Sequence, residues 1–96
     1  MHSFRAELWE HDGDGAWHFL SLPHAEADEI EATAAEARRG FGSVRVEVTI
    51  GSTTWRTSVF PDKRRATYVL PVKRAVRRAE GLVAGSSVDV RLRVLL

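Results

Sequence analysis

The run Val44-Arg45-Val46-Glu47-Val48-Thr49-Ile50 alternates apolar and polar residues without a break, which is the period of a strand with one buried face. Gly51-Ser52 supplies a two-residue turn and Thr53 to Phe60 returns, so the stretch predicts a β-hairpin. A turn of that length fixes the pairing. Val48 faces Trp55, Val46 faces Thr57 and Val44 faces Val59, while the other face sets Glu47 against Arg56 and Thr49 against Thr54. Opposite-charge and Thr–Thr pairs across strands each contribute roughly 0.2–1 kcal/mol, and both occur in this one register. Further on, Val88, Val90, Leu92 and Val94 alternate with Asp89, Arg91 and Arg93, giving a second half-buried strand. These two ribbons are expected to hide their valines inside one closed cylinder.

The other segments fit around that frame. Ser3 to His11 and Ala16 to Leu22 flank Asp12-Gly13-Asp14-Gly15, an Asp-Gly repeat that predicts a first hairpin. Its Trp9, Trp17 and Phe19 are too bulky for a small lumen, so some are expected beneath helices. Pro23 to Arg39 reads as a helix. Pro23 suits its first turn, Glu26, Asp28 and Glu29 complement the positive end of its dipole, Arg38 and Arg39 the negative end, and Gly40 stops it. The stripe Ala27, Ile30, Ala34 and Ala37 is narrow and small, which suits a lid more than a core helix. Pro61 to Arg65 is predicted as a polar loop and Ala66 to Leu70 as a short strand. Pro71 then opens a second helix to about Glu80, ended by Gly81. On this helix Val72, Ala75, Val76 and Ala79 share one face and Lys73, Arg74, Arg77 and Arg78 the other. The order Leu-Pro, helix, Gly, strand occurs twice, a candidate internal duplication whose helices differ in length and charge.

Ninety-six residues suit one domain spanning the whole chain. With 44% hydrophobic and 28% charged residues the composition is that of a soluble globular protein. There is no cysteine, which excludes disulfides, thiolate metal sites and a cysteine nucleophile. No apolar run reaches the length of a membrane span or a signal-peptide core, so a cytoplasmic location without a membrane partner is expected. The net charge of +1 hides an asymmetry. Residues 1–48 hold 4 Lys/Arg against 10 Asp/Glu, and residues 49–96 hold 10 against 3. The plain expectation is that the halves neutralise each other in the fold; the other is that the basic half meets an acidic partner or nucleic acid.

The basic stripe of the second helix is the sharpest chemical feature. Lys73 with Arg77, and Arg74 with Arg78, are like charges four apart, each pair costing roughly 0.2–0.5 kcal/mol on an isolated helix. The acidic first helix, the helix dipole, solvation or an external phosphate would offset that cost. With Arg56, Lys63, Arg64 and Arg65 nearby the stripe would form a nucleic-acid interface, with binding that weakens steeply as salt rises. In the sequence no aromatic residue interleaves with these charges as a single-strand platform requires. A separate candidate is a small-ligand pocket where Trp55 and Tyr68 meet a helix lid, unless Val46, Val48, Val90 and Leu92 fill the lumen. His11-Asp12-Gly13-Asp14-Gly15 lacks the later ligands of a calcium loop and reads as a turn. His11, His18 and His24 have no patterned carboxylate beside them, and no metal or other cofactor is expected. Ser58 beside Thr57 has neither a nucleophile-elbow pattern nor an oriented base, so no catalytic residue is assigned.

With these residues placed, the chain resembles the uncharacterised domain of YdeI/OmpD-associated proteins. The matching pieces are Phe4 to Trp9, Trp17 with Leu20-Ser21-Leu22-Pro23, Val44 to Ile50, Trp55 to Pro61, Tyr68 to Pro71, Arg77-Arg78-Ala79, Gly81-Leu82, Gly85 and Val88 to Leu92. Ser86-Ser87 departs from the acidic residue that often follows that glycine. The resemblance implies a mainly β fold: a small double-split β-barrel of about six or seven strands capped by two helices, an architecture shared with AbrB/MazE-like regulators and antitoxins. It implies no activity, since architecture does not carry function. The expected role is a binding or accessory module without catalysis, with nucleic-acid binding through the basic helix and a small-ligand pocket as alternatives. One chain holds enough strands to close the barrel, so a monomer is feasible and a homodimer remains open.

Overall fold

The computed structural model describes residues 1–12, 16–37 and 42–95. Its elements run β1 (His2–Glu10), β2 (His18–Ser21), α1 (His24–Ala37), β3 (Val44–Ile50), β4 (Thr53–Asp62), β5 (Thr67–Pro71), α2 (Arg74–Glu80) and β6 (Ser87–Val94). The strands close an antiparallel barrel in the order β1-β2-β5-β4-β3-β6. Its β3–β4 hairpin has the register that a Gly51-Ser52 turn imposes, with Val48 opposite Trp55, Glu47 opposite Arg56 and Thr49 opposite Thr54. β6 closes the cylinder by pairing with β3 through Val48 and Leu92 and with β1 through Phe4 and Val90.

Closure puts the alternating apolar residues inside. Val46, Val48, Leu92, Leu8 and Leu20 are fully buried, and Val90 is 1% exposed. The lumen is therefore a packed core, which removes it as a ligand cavity. Both helices act as lids. α1 drops Ile30, fully buried, with Ala27 and Ala34 into the core cluster, so its narrow stripe permits close approach. The expected Arg38, Arg39 and Gly40 terminus lies outside the described residues, as do Gly13, Asp14 and Gly15 of the first turn.

Four expectations need correction. The loop expected at Pro61 is shorter, because Pro61 pairs with Tyr68 and Asp62 with Thr67, leaving 63–66 as the turn. Asp62 organises that turn by accepting the backbone N–H groups of Arg64 and Arg65 at 3.0 and 3.3 Å and the Arg65 guanidinium at 2.9 Å. Burial pushes its carboxyl up, but the Arg65 guanidinium and these backbone donors outweigh that and hold it below the ordinary range. Second, Pro71 ends β5 opposite Phe19 and does not open the helix; α2 starts after Lys73. Third, Ala75 and Ala79 are exposed, since a helix of seven residues buries only Val76. Fourth, Trp9, Trp17 and Phe19 lie outside the barrel: Leu8 pairs with Leu20 inside, so their neighbours Trp9 and Phe19 pair on the outer face.

Strand direction decides where the helices go. β2 and β5 are antiparallel neighbours, so the chain leaves them at opposite ends of the barrel and α1 and α2 cap different mouths. The charge halves meet mainly on the wall. Glu47 of β3 binds Arg93 at 2.8 Å and Arg56 at 3.4 Å, and Arg5 of β1 grips Asp89 of β6 at 2.8 and 3.1 Å. The basic α2 end has no such counterweight from α1. Among the described residues no helix is long and apolar enough to cross a membrane.

Two turn positions test the backbone. Gly51 has φ +59, and a Cβ there would stand 2.0 Å from Glu80 Oε1, on the carboxylate whose Oε2 accepts the Thr53 hydroxyl. Gly51→Ala should cost about 1–3 kcal/mol in denaturant unfolding, with part recovered in the Gly51→Ala/Glu80→Ala double variant. Ala66 sits at φ +56. Relief of roughly 1–2 kcal/mol of left-handed strain exceeds the 0.4–1 kcal/mol entropic cost of glycine, so Ala66→Gly should stabilise by up to about 1 kcal/mol.

The Glu47 carboxyl is held below its usual value, first by the hydrogen bond from Arg93. A carboxylate that keeps its charge to lower pH folded than unfolded contributes fully above the unfolded pKa and loses that contribution as pH falls through the folded value. Unfolding free energy should therefore decline below about pH 4.5. Glu47→Gln should flatten that decline, and an unchanged acid limb in urea titrations would show the network to be idle.

Candidate anion-binding cleft

The α2 end carries an open cleft of about 610 Å³. Three strand ends and the helix build it. Ala16, Trp17 and His18 come from the entry to β2, Trp55, Arg56 and Thr57 from β4, Pro71 and Val72 from the exit of β5, and Lys73, Arg74 and Arg77 from α2 and its N-cap. Trp55 and Thr57 lie opposite Val48 and Val46, on the inner face of β4. They sit near the mouth, so Trp55 packs against the core while remaining in the cleft wall.

A short relay fixes the floor. The Val72 backbone N–H donates to the His18 carbonyl at 2.9 Å, so the strand pairing continues past Pro71 and sets where α2 begins. Arg77 turns back along the helix and its Nε donates to the Val72 carbonyl at 3.1 Å. His18 Nδ1 lies 2.7 Å from the Ala16 carbonyl, which can only accept, so this nitrogen carries the proton. The lone pair of Nε2 then receives the Arg77 Nη1 donor at 3.4 Å. Arg77 is thereby oriented by neutral acceptors, with no ion pair to a carboxylate among the described residues.

Among the described residues no Asp or Glu lines the cleft. Arg56 has only the longer of the two bonds to Glu47, which Arg93 engages more closely. Lys73 and Arg74 are exposed at the start of a helix, where the dipole disfavours cations, so helix stability does not account for them. Trp17 is 57% exposed although it stacks on Phe19 at 6.2 Å and 12°. The cleft thus combines four cations with two indoles, a surface for an anion that also carries a flat apolar part.

The expected site residues divide into three groups. Arg56, Lys73, Arg74, Arg77 and Trp55 come together here. Arg78 is exposed on α2 outside the cleft lining. Lys63, Arg64 and Arg65 occupy the β4–β5 turn at the α1 end, in a second depression of about 520 Å³ that also holds Trp9 and Phe19. Tyr68 is separated from Trp55, correcting the single pocket expected for the pair: it lies beside α1 in another depression, its hydroxyl donating to the Glu31 carboxylate. Trp17, His18 and Thr57 were not foreseen. Aromatic residues do accompany the basic ones: Trp55 adjoins Arg56 in the chain, and Trp17 and Trp55 line the cleft with Lys73, Arg74 and Arg77. The one available signal was the hairpin register, which puts Thr57 two positions from Trp55 on one face.

Among the described residues no three His, Asp or Glu side chains gather as metal ligands. His18 is engaged by Ala16 and Arg77, and His24 Nε2 lies 3.3 Å from the Arg65 carbonyl. Ser58 is buried in β4 away from the cleft.

The role of Arg77 is separable from that of its neighbours. Arg77→Ala should lower unfolding free energy by roughly 1 kcal/mol through the lost Val72 and His18 bonds. Arg78→Ala should stay within about 0.5 kcal/mol of the unaltered protein. Equal effects in chemical denaturation would contradict the relay.

No curated protein matches the sequence. A family model described as a domain of unknown function, DUF1905, matches residues 4–92, and with that span covering nearly the whole barrel, the chain belongs to the DUF1905 family.

Proposed function

We propose that this chain is a non-enzymatic binding module that holds a phosphate-bearing ligand with a flat ring in the cleft at the α2 end. The observation that carries the reading is the lining: among the described residues, four cations, two tryptophans and no carboxylate around about 610 Å³. That volume falls within the roughly 300–1,000 Å³ of small-ligand sites. Charge-assisted hydrogen bonds contribute about 1.5–3 kcal/mol each, and a ring stacked on an exposed indole about 1–3 kcal/mol. A ligand offering both groups gains over one offering either alone. The residues of the cleft hold and orient; among the described residues none offers His18 the carboxylate partner that general acid–base chemistry there would use.

This reading joins the two alternatives drawn from the sequence, because a nucleotide is both a small ligand and the unit of a nucleic acid. It also fits the YdeI/OmpD-associated likeness, which supplies an architecture and leaves the ligand open.

Calorimetric titration with adenosine monophosphate, adenosine and inorganic phosphate tests it. The monophosphate should bind tightest, quench tryptophan fluorescence and weaken as salt rises. Arg74→Glu and Lys73→Glu should each lower its affinity at least tenfold, about 1.4 kcal/mol, with the circular dichroism spectrum unchanged. Absent binding, or binding indifferent to both reversals, would refute the reading.

A further inference from the structure

The cleft continues along the outside of the barrel. Trp17 stacks on Phe19 at 6.2 Å, Phe19 meets Trp9 at 5.0 Å, and the Arg65 guanidinium lies 3.8 Å from the Trp9 ring centre. Ser21 fixes the column by accepting the Trp9 Nε1–H at 2.9 Å. One end of this column is in the α2 cleft, and the other is in the depression containing Lys63, Arg64 and Arg65. Two separate basic clusters are therefore joined by a continuous aromatic floor. A mononucleotide would use only the first of them.

We infer that the ligand of the cleft is a single-stranded nucleic acid, whose backbone runs from Lys73, Arg74 and Arg77 over the Trp17–Phe19–Trp9 column to the Lys63–Arg65 turn. The inference rests on the cleft reading and adds the second cluster to it. Alternation of cations with aromatic surface is what single-strand sites require, since every base has a face to stack and every link a phosphate. The rings do not contribute equally. Phe19 lies between Trp9 and Trp17, and Trp9 between Phe19 and Arg65, so these two serve as floor. Stacking falls to Trp17, exposed beyond its contact with Phe19, and to Trp55. A duplex hides its base faces and has no use for either indole.

The acidic residues along the track limit where phosphates sit. Asp62 is already engaged by Arg65 and the turn backbone. Glu10 and Asp12 border the second depression and stay exposed, so phosphate contacts concentrate at the two ends. Beyond Lys63 the surface turns acidic with Asp28 and Glu31, which stops the strand there. The track suits about four nucleotides, the lower end of the roughly 4–16 found on small barrels.

Fluorescence anisotropy with labelled thymidine and uridine oligonucleotides, competed by thymidine monophosphate and by a hairpin duplex, tests the inference. Affinity should rise at least tenfold from the mononucleotide to about four nucleotides and then level off. The Lys63→Glu/Arg64→Glu variant, altered only at exposed turn positions, should lose that gain while still binding the mononucleotide. Its slope of log affinity against log salt should be shallower by about 0.7 for each lost contact. Trp17→Ala should weaken oligonucleotides of every length, and both variants should keep the native circular dichroism spectrum. If the monophosphate binds and longer strands bind no tighter, the track is refuted and the cleft stands. If the duplex competes as well as the single strand, the inference is wrong. If no nucleotide of any length binds, both the inference and the reading beneath it fall.

Discussion

Closure of the barrel by β6 is the constraint on which the rest of the molecule depends. The last strand slides between the first and the third, and its Val90 and Leu92 complete a lumen already half built by Val46 and Val48. Each of these side chains removes on the order of 1.5–3 kcal/mol of apolar surface cost from water. Closure also uses the strand edges that would otherwise recruit another chain. Because the lumen is solid, anything the protein binds must be bound at its mouths or on its outer wall.

Antiparallel pairing then distributes the surface chemistry. β2 and β5 run side by side in opposite directions, so the helix after each caps a different mouth. The acidic α1 shares its end with Lys63 of the β4–β5 turn. The basic α2 meets Trp17 and Trp55 instead. Had the two helices emerged on one side, their charges would have cancelled and the cleft would have had no net attraction for an anion. On the wall, cross-strand pairs such as Glu47 with Arg93 and Arg5 with Asp89 fix register at exposed positions where their contribution to stability is small.

The cleft is held by backbone as much as by side chains. The carbonyls of Ala16 and Val72 set the proton on His18 and the direction of Arg77, so the only semi-buried cation of α2 is placed by strand geometry. A cation oriented this way loses little further freedom when an anion arrives. The flexible Lys73 and Arg74 complement it from the rim.

Much of this was legible in the amino-acid order. Strict alternation fixed the inner faces of β3 and β6, and the two-residue Gly51-Ser52 turn fixed the pairing down to Glu47 with Arg56, because both are local rules with a short period. Elements bounded by proline were less legible: Pro61 and Pro71 each lie within a strand, since the closed sheet supplies partners to backbone that proline alone would have left in a loop. The basic residues could be named but not sorted. Arg77 and Arg78 are neighbours in the chain, yet one is tied into the cleft floor and the other faces solvent. Trp17 and Trp55 stand 38 positions apart, and only the antiparallel placement of β2, β5 and β4 lines one cleft with both. The sequence by itself determined which residues could be buried and how the β3–β4 hairpin would pair, because those follow from periodicity and turn length. Which charges and rings share a surface was decided by the tertiary structure, because that depends on strand order around the barrel, and strand order is set by the closure of the whole sheet.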